Sequence, residues 1–131
     1  MVRPLRARDV FFRLIEDVAA QKWAELPELY AENAVVRHPF ATDESAVLTG
    51  RAELREHFAK AGSRGLQMRA HDVVIHETGD PEVVVAEFAY HVRARNDGDP
   101  FKVPAIFVLR VRDGQIVESR DYIGGRQRLA P

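Results

Sequence analysis

The sequence predicts a single α+β domain, with three N-terminal helices packed on one face of a curved, mostly antiparallel sheet. Three observations carry this reading. Apolar residues in the first third recur with helical spacing. From Leu66 onward the chain turns to long runs rich in β-branched and aromatic residues. Short Gly/Asp/Pro stretches divide those runs, as in a meander whose helices gather on one side.

Val10, Phe11, Leu14, Ile15, Val18 and Ala19 form one apolar stripe, which defines the first helix. A second, shorter helix is expected to carry Trp23, Leu26, Leu29 and Tyr30, with Pro27 in its first turn, where a missing N–H costs little. Residues 34–38 read as a short strand stopped by Pro39. Thr49-Gly50 opens a third helix. There Leu54 and Phe58 share a face, Glu56 precedes Lys60 in the favourable i, i+4 order, and Gly62 is the expected C-cap. Strands are expected over 66–76, 82–95, 102–112 and 115–123. Gly79-Asp80-Pro81, the stretch from Asn96 to Pro100, and Asp113-Gly114 separate them, the last being a strong signal for a two-residue hairpin turn.

Composition bounds the function. The 131 residues fit one domain spanning 1–131, with 46% hydrophobic and 30% charged residues, an ordinary globular balance. A net charge of −1 with both signs interspersed offers no basic face, which argues against nucleic acid as a partner. The absence of cysteine excludes disulfides, thiolate nucleophiles and thiolate metal sites. The five histidines lack metal-ligand spacing, and no phosphate loop or serine-nucleophile elbow is present, so no metal and no cofactor is expected. Arg13, Glu16 and Asp17 interrupt the first apolar segment, so neither a signal peptide nor a membrane helix is expected there, and a cytoplasmic location is the default.

A long-stranded, curled sheet leaves a cavity between itself and the helices. In the second long strand Val84, Ala86, Phe88, Tyr90 and Val92 form one apolar row, and Val83 and Val85 make the opposite face apolar too. A second copy of the chain is the simplest cover for it, which predicts a homodimer through the sheet. Strict alternation sets His71 on one face with Val73 and Ile75, where an imidazole is either an acid/base group or a structural histidine bonded to a carbonyl. Asp121 shares its face with Val117, Ser119 and Ile123. It is either an acid/base group or ligand anchor, or one half of a core or interface salt bridge. His38, beside Val36, either bonds a ligand at a pocket mouth or ends its strand against solvent. Phe58, Phe107 and Ile123 are the expected wall residues, whereas Trp23 and Phe11 read as core that can double as wall.

Three segments resemble a known family: Leu29-Tyr30-Ala31-Glu32-Asn33-Ala34-Val35, Leu48-Thr49-Gly50-Arg51-Ala52-Glu53-Leu54-Arg55, and Val111-Arg112-Asp113-Gly114-Gln115-Ile116-Val117 continuing to Tyr122. Together with the element order they resemble the cone-shaped NTF2-like (cystatin-like) superfamily, which includes SnoaL-like cyclases and steroid isomerases. The run from Ala70 to Pro81 is similar to a strand-turn of the phenazine-biosynthesis A/B proteins. That resemblance implies a pocket histidine at His71 and a pocket carboxylate at Asp121, although aspartate replaces the family's glutamate. The steroid-isomerase set is not matched: Leu14, His38 and Phe107 fall where that group has its tyrosine and two aspartates. The expected function is a cofactor-free acid/base enzyme of isomerase, cyclase, dehydratase or condensation type on a small hydrophobic, cyclic or carbonyl metabolite. His71 and Asp121 would move the proton, and His38, Phe58, Phe107, Ser119 and Ile123 would contact the ligand. A non-catalytic ligand-binding or dimerisation domain is the alternative.

Overall fold

The computed structural model describes residues 4–95 and 98–129. Among them run two α-helices, α1 (Ala7–Ala19) and α2 (Gly50–Ser63), and seven strands: β1 (Tyr30–Arg37), β2 (Val47–Thr49), β3 (Gln67–Glu77), β4 (Val83–Arg93), β5 (Phe101–Arg112), β6 (Gln115–Ile123) and β7 (Gln127–Arg128). The sheet order is β2-β1-β6-β5-β4-β3, with β7 pairing β5. Only β1 and β6 are parallel.

The expected second helix is instead a single 3-10 turn, Leu26–Leu29, and Tyr30 already opens β1. Pro27 explains this. It has no N–H to donate, and its ring disfavours helical backbone at the residue before it, so the segment closes one short turn and extends. The α2 C-terminus also differs from expectation. Gly65 takes the positive φ of +64°, while Gly62 stays in the helix with its Cα face against the Trp23 indole. A Cβ at Gly62 would stand 3.0 Å from that ring.

The Asp113-Gly114 turn forms as its sequence demands. Both residues have positive φ, 53° and 78°, and Arg112 pairs with Gln115 across it. In the turn between β4 and β5, Asn96 and Asp97 lie outside the described residues. Val10, Phe11, Leu14, Ile15 and Val18 of α1 are buried against the concave face of the sheet. The Phe11 ring meets Phe88 at 5.4 Å and Phe107 at 6.4 Å, edge to face, and Phe88 meets Phe107 at 5.0 Å. Full burial of one such side chain contributes about 1.5–3 kcal/mol.

Strand β3 breaks the simple alternation. His71 pairs with Ala89 and Val74 with Glu87, so Asp72 and Val73 together face Phe88. Asp72, at φ 57°, is the inserted residue of this β-bulge. One extra residue exchanges the two faces beyond it. Ala70, Val73 and Ile75 are therefore half-buried, while Arg69, His71, Val74 and His76 are exposed. No helix among the described residues is long and apolar enough to cross a membrane.

Candidate functional site

A cavity of about 630 Å³ lies between the concave face of the sheet and α2, within the range usual for small-molecule sites. Its walls are mostly apolar and include Leu14, Trp23, Leu54, Phe58, Met68 and Phe107. His38, His57 and Asp121 meet at one end. There a smaller hollow of about 320 Å³, bordered by Phe40, Ala41 and Ile123, also reaches them.

The meeting of His38 and Asp121 follows from the parallel pairing of β1 with β6. Val36 is level with Ser119 and Arg37 with Arg120, so the next step brings His38 beside Asp121. Pro39 ends the strand there, and two contacts hold His38: its backbone N–H donates to the Ala46 carbonyl at 2.8 Å, and its Nδ1 lies 2.6 Å from the Ser45 carbonyl. A carbonyl only accepts, so Nδ1 carries a proton and donates. Neutral His38 therefore presents a bare Nε2 to the site, 3.6 Å from Asp121 Oδ2. The Ser119 hydroxyl donates to Asp121 Oδ1. Asp121 thus has one oxygen held by a hydroxyl and the other turned to an imidazole nitrogen.

Burial dominates the electrostatics. It pushes the Asp121 carboxyl up from 3.8 to about 6, while the Ser119 hydroxyl and His38 hold it back from rising further. His57 is pushed down, first by burial, then by His38 and Lys60, which favours a neutral imidazole. Its ring centre lies 5.5 Å from that of His38. Burial thus brings the Asp121 carboxyl into the range where it takes up and releases a proton near neutral pH, with His38 Nε2 facing its Oδ2.

The structure brings together some of the expected residues and separates one. Asp121, His38, Phe58, Phe107 and Ile123 line the cavity, and Ser119 stands behind Asp121 as its hydrogen-bond donor. Phe107 lies directly opposite Asp121 across the β5–β6 pair. His71 does not reach the cavity, which corrects the expectation that it shares a face with Val73 and Ile75. The Asp72 bulge turns it to the outer face, where its ring stacks on His91 at 3.7 Å. The imidazole beside Asp121 is that of His38.

His57, Tyr30 and Tyr90 are among the polar residues of the cavity that were not singled out from the sequence. His57 sits on α2, where the sequence marked Leu54 and Phe58 as the apolar face, and Tyr30 lay in the segment expected to be helical. Tyr90 was indistinguishable from core in an alternating row. The only signal that marks Tyr90 is a phenol among four aliphatic or aromatic neighbours of β4. Among the described residues, no group of three or more His, Asp or Glu side chains is arranged to hold a metal ion.

A family model for the SnoaL-like domain matches residues 11–119. The chain is 32% identical over 111 residues to the uncharacterized PhzA/B-like protein PA3332 of Pseudomonas aeruginosa, covering 84% of this chain and 76% of that one. It superposes with a TM-score of 0.81 on a Bacillus subtilis structure named "Putative Isomerase", at 25% identity, covering 90% of this chain and 86% of that one. SalBIII, an epoxide hydrolase/cyclase-like enzyme of pyran ring formation in the polyether salinomycin, matches in fold with a TM-score of 0.73 at 20% identity, over 90% of each chain. The fold is NTF2-like, and the chain belongs to the SnoaL-like family.

Proposed function

We propose that the protein is a cofactor-free isomerase or cyclase that moves a proton on a small, largely apolar metabolite, with Asp121 as the proton carrier and His38 as its partner. The observation that carries this reading is the buried Asp121 carboxyl, its Oδ2 facing the Nε2 of His38 at 3.6 Å, at the end of an apolar cavity. A carboxyl held near 6 is ionised often enough to accept a proton at neutral pH and acidic enough to return it. His38 stabilises the ionised form as an imidazolium or receives the proton itself. The hydrophobic walls orient the substrate and keep competing water away. The isomerase and cyclase names among the structural relatives agree with proton-transfer chemistry of this kind.

The test uses β-tetralone, a bicyclic ketone of suitable size, incubated with the protein in deuterated buffer while NMR follows exchange of its α-protons. Wild type is expected to speed exchange well above the buffer rate, and Asp121→Asn to lower that rate about 100-fold or more. Equal exchange by the two proteins would remove the mechanism.

The partner that best fits the convex face of the sheet is a second copy of the chain. Val74 and Ile106 are 50% and 41% exposed there, flanked by Val85, Pro104 and Val108. Light scattering is expected to give twice the chain mass for wild type and the single mass for Ile106→Glu. A monomeric wild type at about 50 μM would refute the dimer, as standard interfaces of this kind hold at such concentrations.

A further inference from the structure

The Asp121 end of the cavity opens on two sides. The larger cavity reaches it from α2, past Leu54 and Phe58. The smaller hollow reaches the same carboxyl from the ends of β1 and β6, and of the two only this hollow touches Phe40 and Ala41. Past Pro39 the chain turns sharply. The Ala41 N–H donates to the His38 carbonyl at 3.0 Å, which sets Ala41 in the wall of the hollow. Phe40 stands at its mouth, 68% exposed, the ring edge-on to Tyr122 at 5.6 Å.

Polar groups gather inside. Asp121 Oδ2 and His38 Nε2 lie 3.6 Å apart, too far for a direct hydrogen bond and a spacing that one water can bridge. His57 reaches the hollow from α2, its ring centre 5.5 Å from that of His38, and no described residue hydrogen-bonds to its ring. A carboxyl oxygen and two imidazoles thus border a space of about 320 Å³, which has both the room and the polar partners that a held water needs.

We infer that the smaller hollow is a water site and a proton route: it holds a water among Asp121, His38 and His57, and through that water Asp121 exchanges its proton with solvent while substrate fills the larger cavity. An apolar substrate displaces water from Leu54, Phe58 and Phe107, and the Phe40 side then leads from Asp121 to solvent.

The step needs no co-reactant beyond water. Asp121 takes an α-proton from the substrate, and the C–H bonding pair enters the enolate. The carboxyl passes that proton to the held water, which becomes hydronium and hands it to bulk water along the hollow. The carboxylate and a water remain. A solvent proton returns by the same path, and Asp121 delivers it to the carbon whose protonation restores the carbonyl. A carboxyl raised only to about 6 still gives its proton to water readily at neutral pH. Burial first, then His38 and Lys60, push His57 down, so this imidazole favours its neutral form and adds no charge against the departing proton. His57 is a positioning residue for the water.

This inference rests on the proton-transfer reading above, and two measurements keep them apart. In the first, β,γ-octalone, a bicyclic ketone, is isomerised to its conjugated form in deuterated buffer, and NMR reads the deuterium at the newly protonated carbon. Taken per molecule of product, this content does not depend on how fast a variant works. Wild-type product is expected to carry mostly solvent deuterium. Ala41→Trp places an indole in the smaller hollow without altering the lining of the larger cavity, and is expected to lower the content several-fold. Phe40→Ala widens the mouth and is expected to leave the content at or above that of wild type. Should Ala41→Trp lose its native circular dichroism, Ala41→Leu takes its place. Equal content in wild type and the filled variant would overturn the route.

The second measurement needs no turnover. With tetralin, which has no carbonyl, saturating the larger cavity, NMR cross-relaxation from water to the ring protons of His38 and His57 is expected to persist in wild type and to vanish in Ala41→Trp. Its absence from tetralin-bound wild type, or its persistence in the filled variant, would overturn the water site. If octalone is not converted while the cross-relaxation behaves as expected, the proton-transfer reading falls and the water site stands. If octalone is converted with the same deuterium content in every variant, the route falls and the proton-transfer reading stands.

Discussion

Two histidines on one sheet meet opposite fates. His38 follows a strand that runs parallel to β6, loses its solvent, and faces the Asp121 carboxyl at 3.6 Å. His71 lies on β3 just before a bulge, turns to the convex face, and stacks on His91 in the open. The residue type is the same, and in both cases the neighbouring sequence is β-rich and apolar. What differs is register: one places an imidazole against a buried acid, and one inserted residue removes the other from the cavity. Acid/base potential in this fold is a property of strand pairing more than of residue identity.

The largest effects should fall on the inner member of this pair. With β-tetralone in deuterated buffer, Asp121→Asn is expected to lose about 100- to 10,000-fold in exchange rate, and His71→Ala to stay within about two-fold of wild type. A comparable loss in His71→Ala would erase the distinction between the faces.

The next effect is on stability. The folded pKa of Asp121 lies near 6 against an ordinary 3.8, so folding favours the protonated form. The associated stability is complete below about pH 4 and is lost as the pH rises through about 6, a difference on the order of 3 kcal/mol. Asp121→Asn does not titrate. Calorimetric melts should therefore show it gaining on wild type between pH 4 and 7, and level with or below wild type at pH 4. A wild type whose advantage grows with pH would reverse the sign of the argument.

A smaller effect sharpens the account of the bulge. Asp72 holds a φ of 57°, which glycine adopts freely and β-branched residues resist. Asp72→Gly should stabilise by up to about 1 kcal/mol in urea unfolding, and Asp72→Val should destabilise by about 1–3 kcal/mol. Equal midpoints for both would place the bulge elsewhere.

Local signals made most of the architecture readable. The Asp-Gly hairpin, the β-branched runs and the α1 stripe each state their structure within a few residues, and Gln115–Ile123 forms over the range expected. Non-local facts were hidden. Aspartate in left-handed backbone leaves no mark in a run that otherwise alternates well, so the bulge and the outward turn of His71 could not be read. The meeting of His38 with Asp121 requires β1 to lie beside β6, a pairing across more than eighty residues of chain. Tyr30 was read into a helix that Pro27 cuts to one turn, and its role as cavity wall went with it.

Following the carboxyl carbon of Asp121 by NMR from pH 3 to 9 probes the buried acid without any substrate. The expected result is a wild-type midpoint near 6 that rises in both Ser119→Ala and His38→Ala, because each substitution removes a group that favours the ionised form. A wild-type midpoint at or below 3.8 would mean an acid that stays ionised at working pH and returns no proton, and the proposed chemistry would not stand.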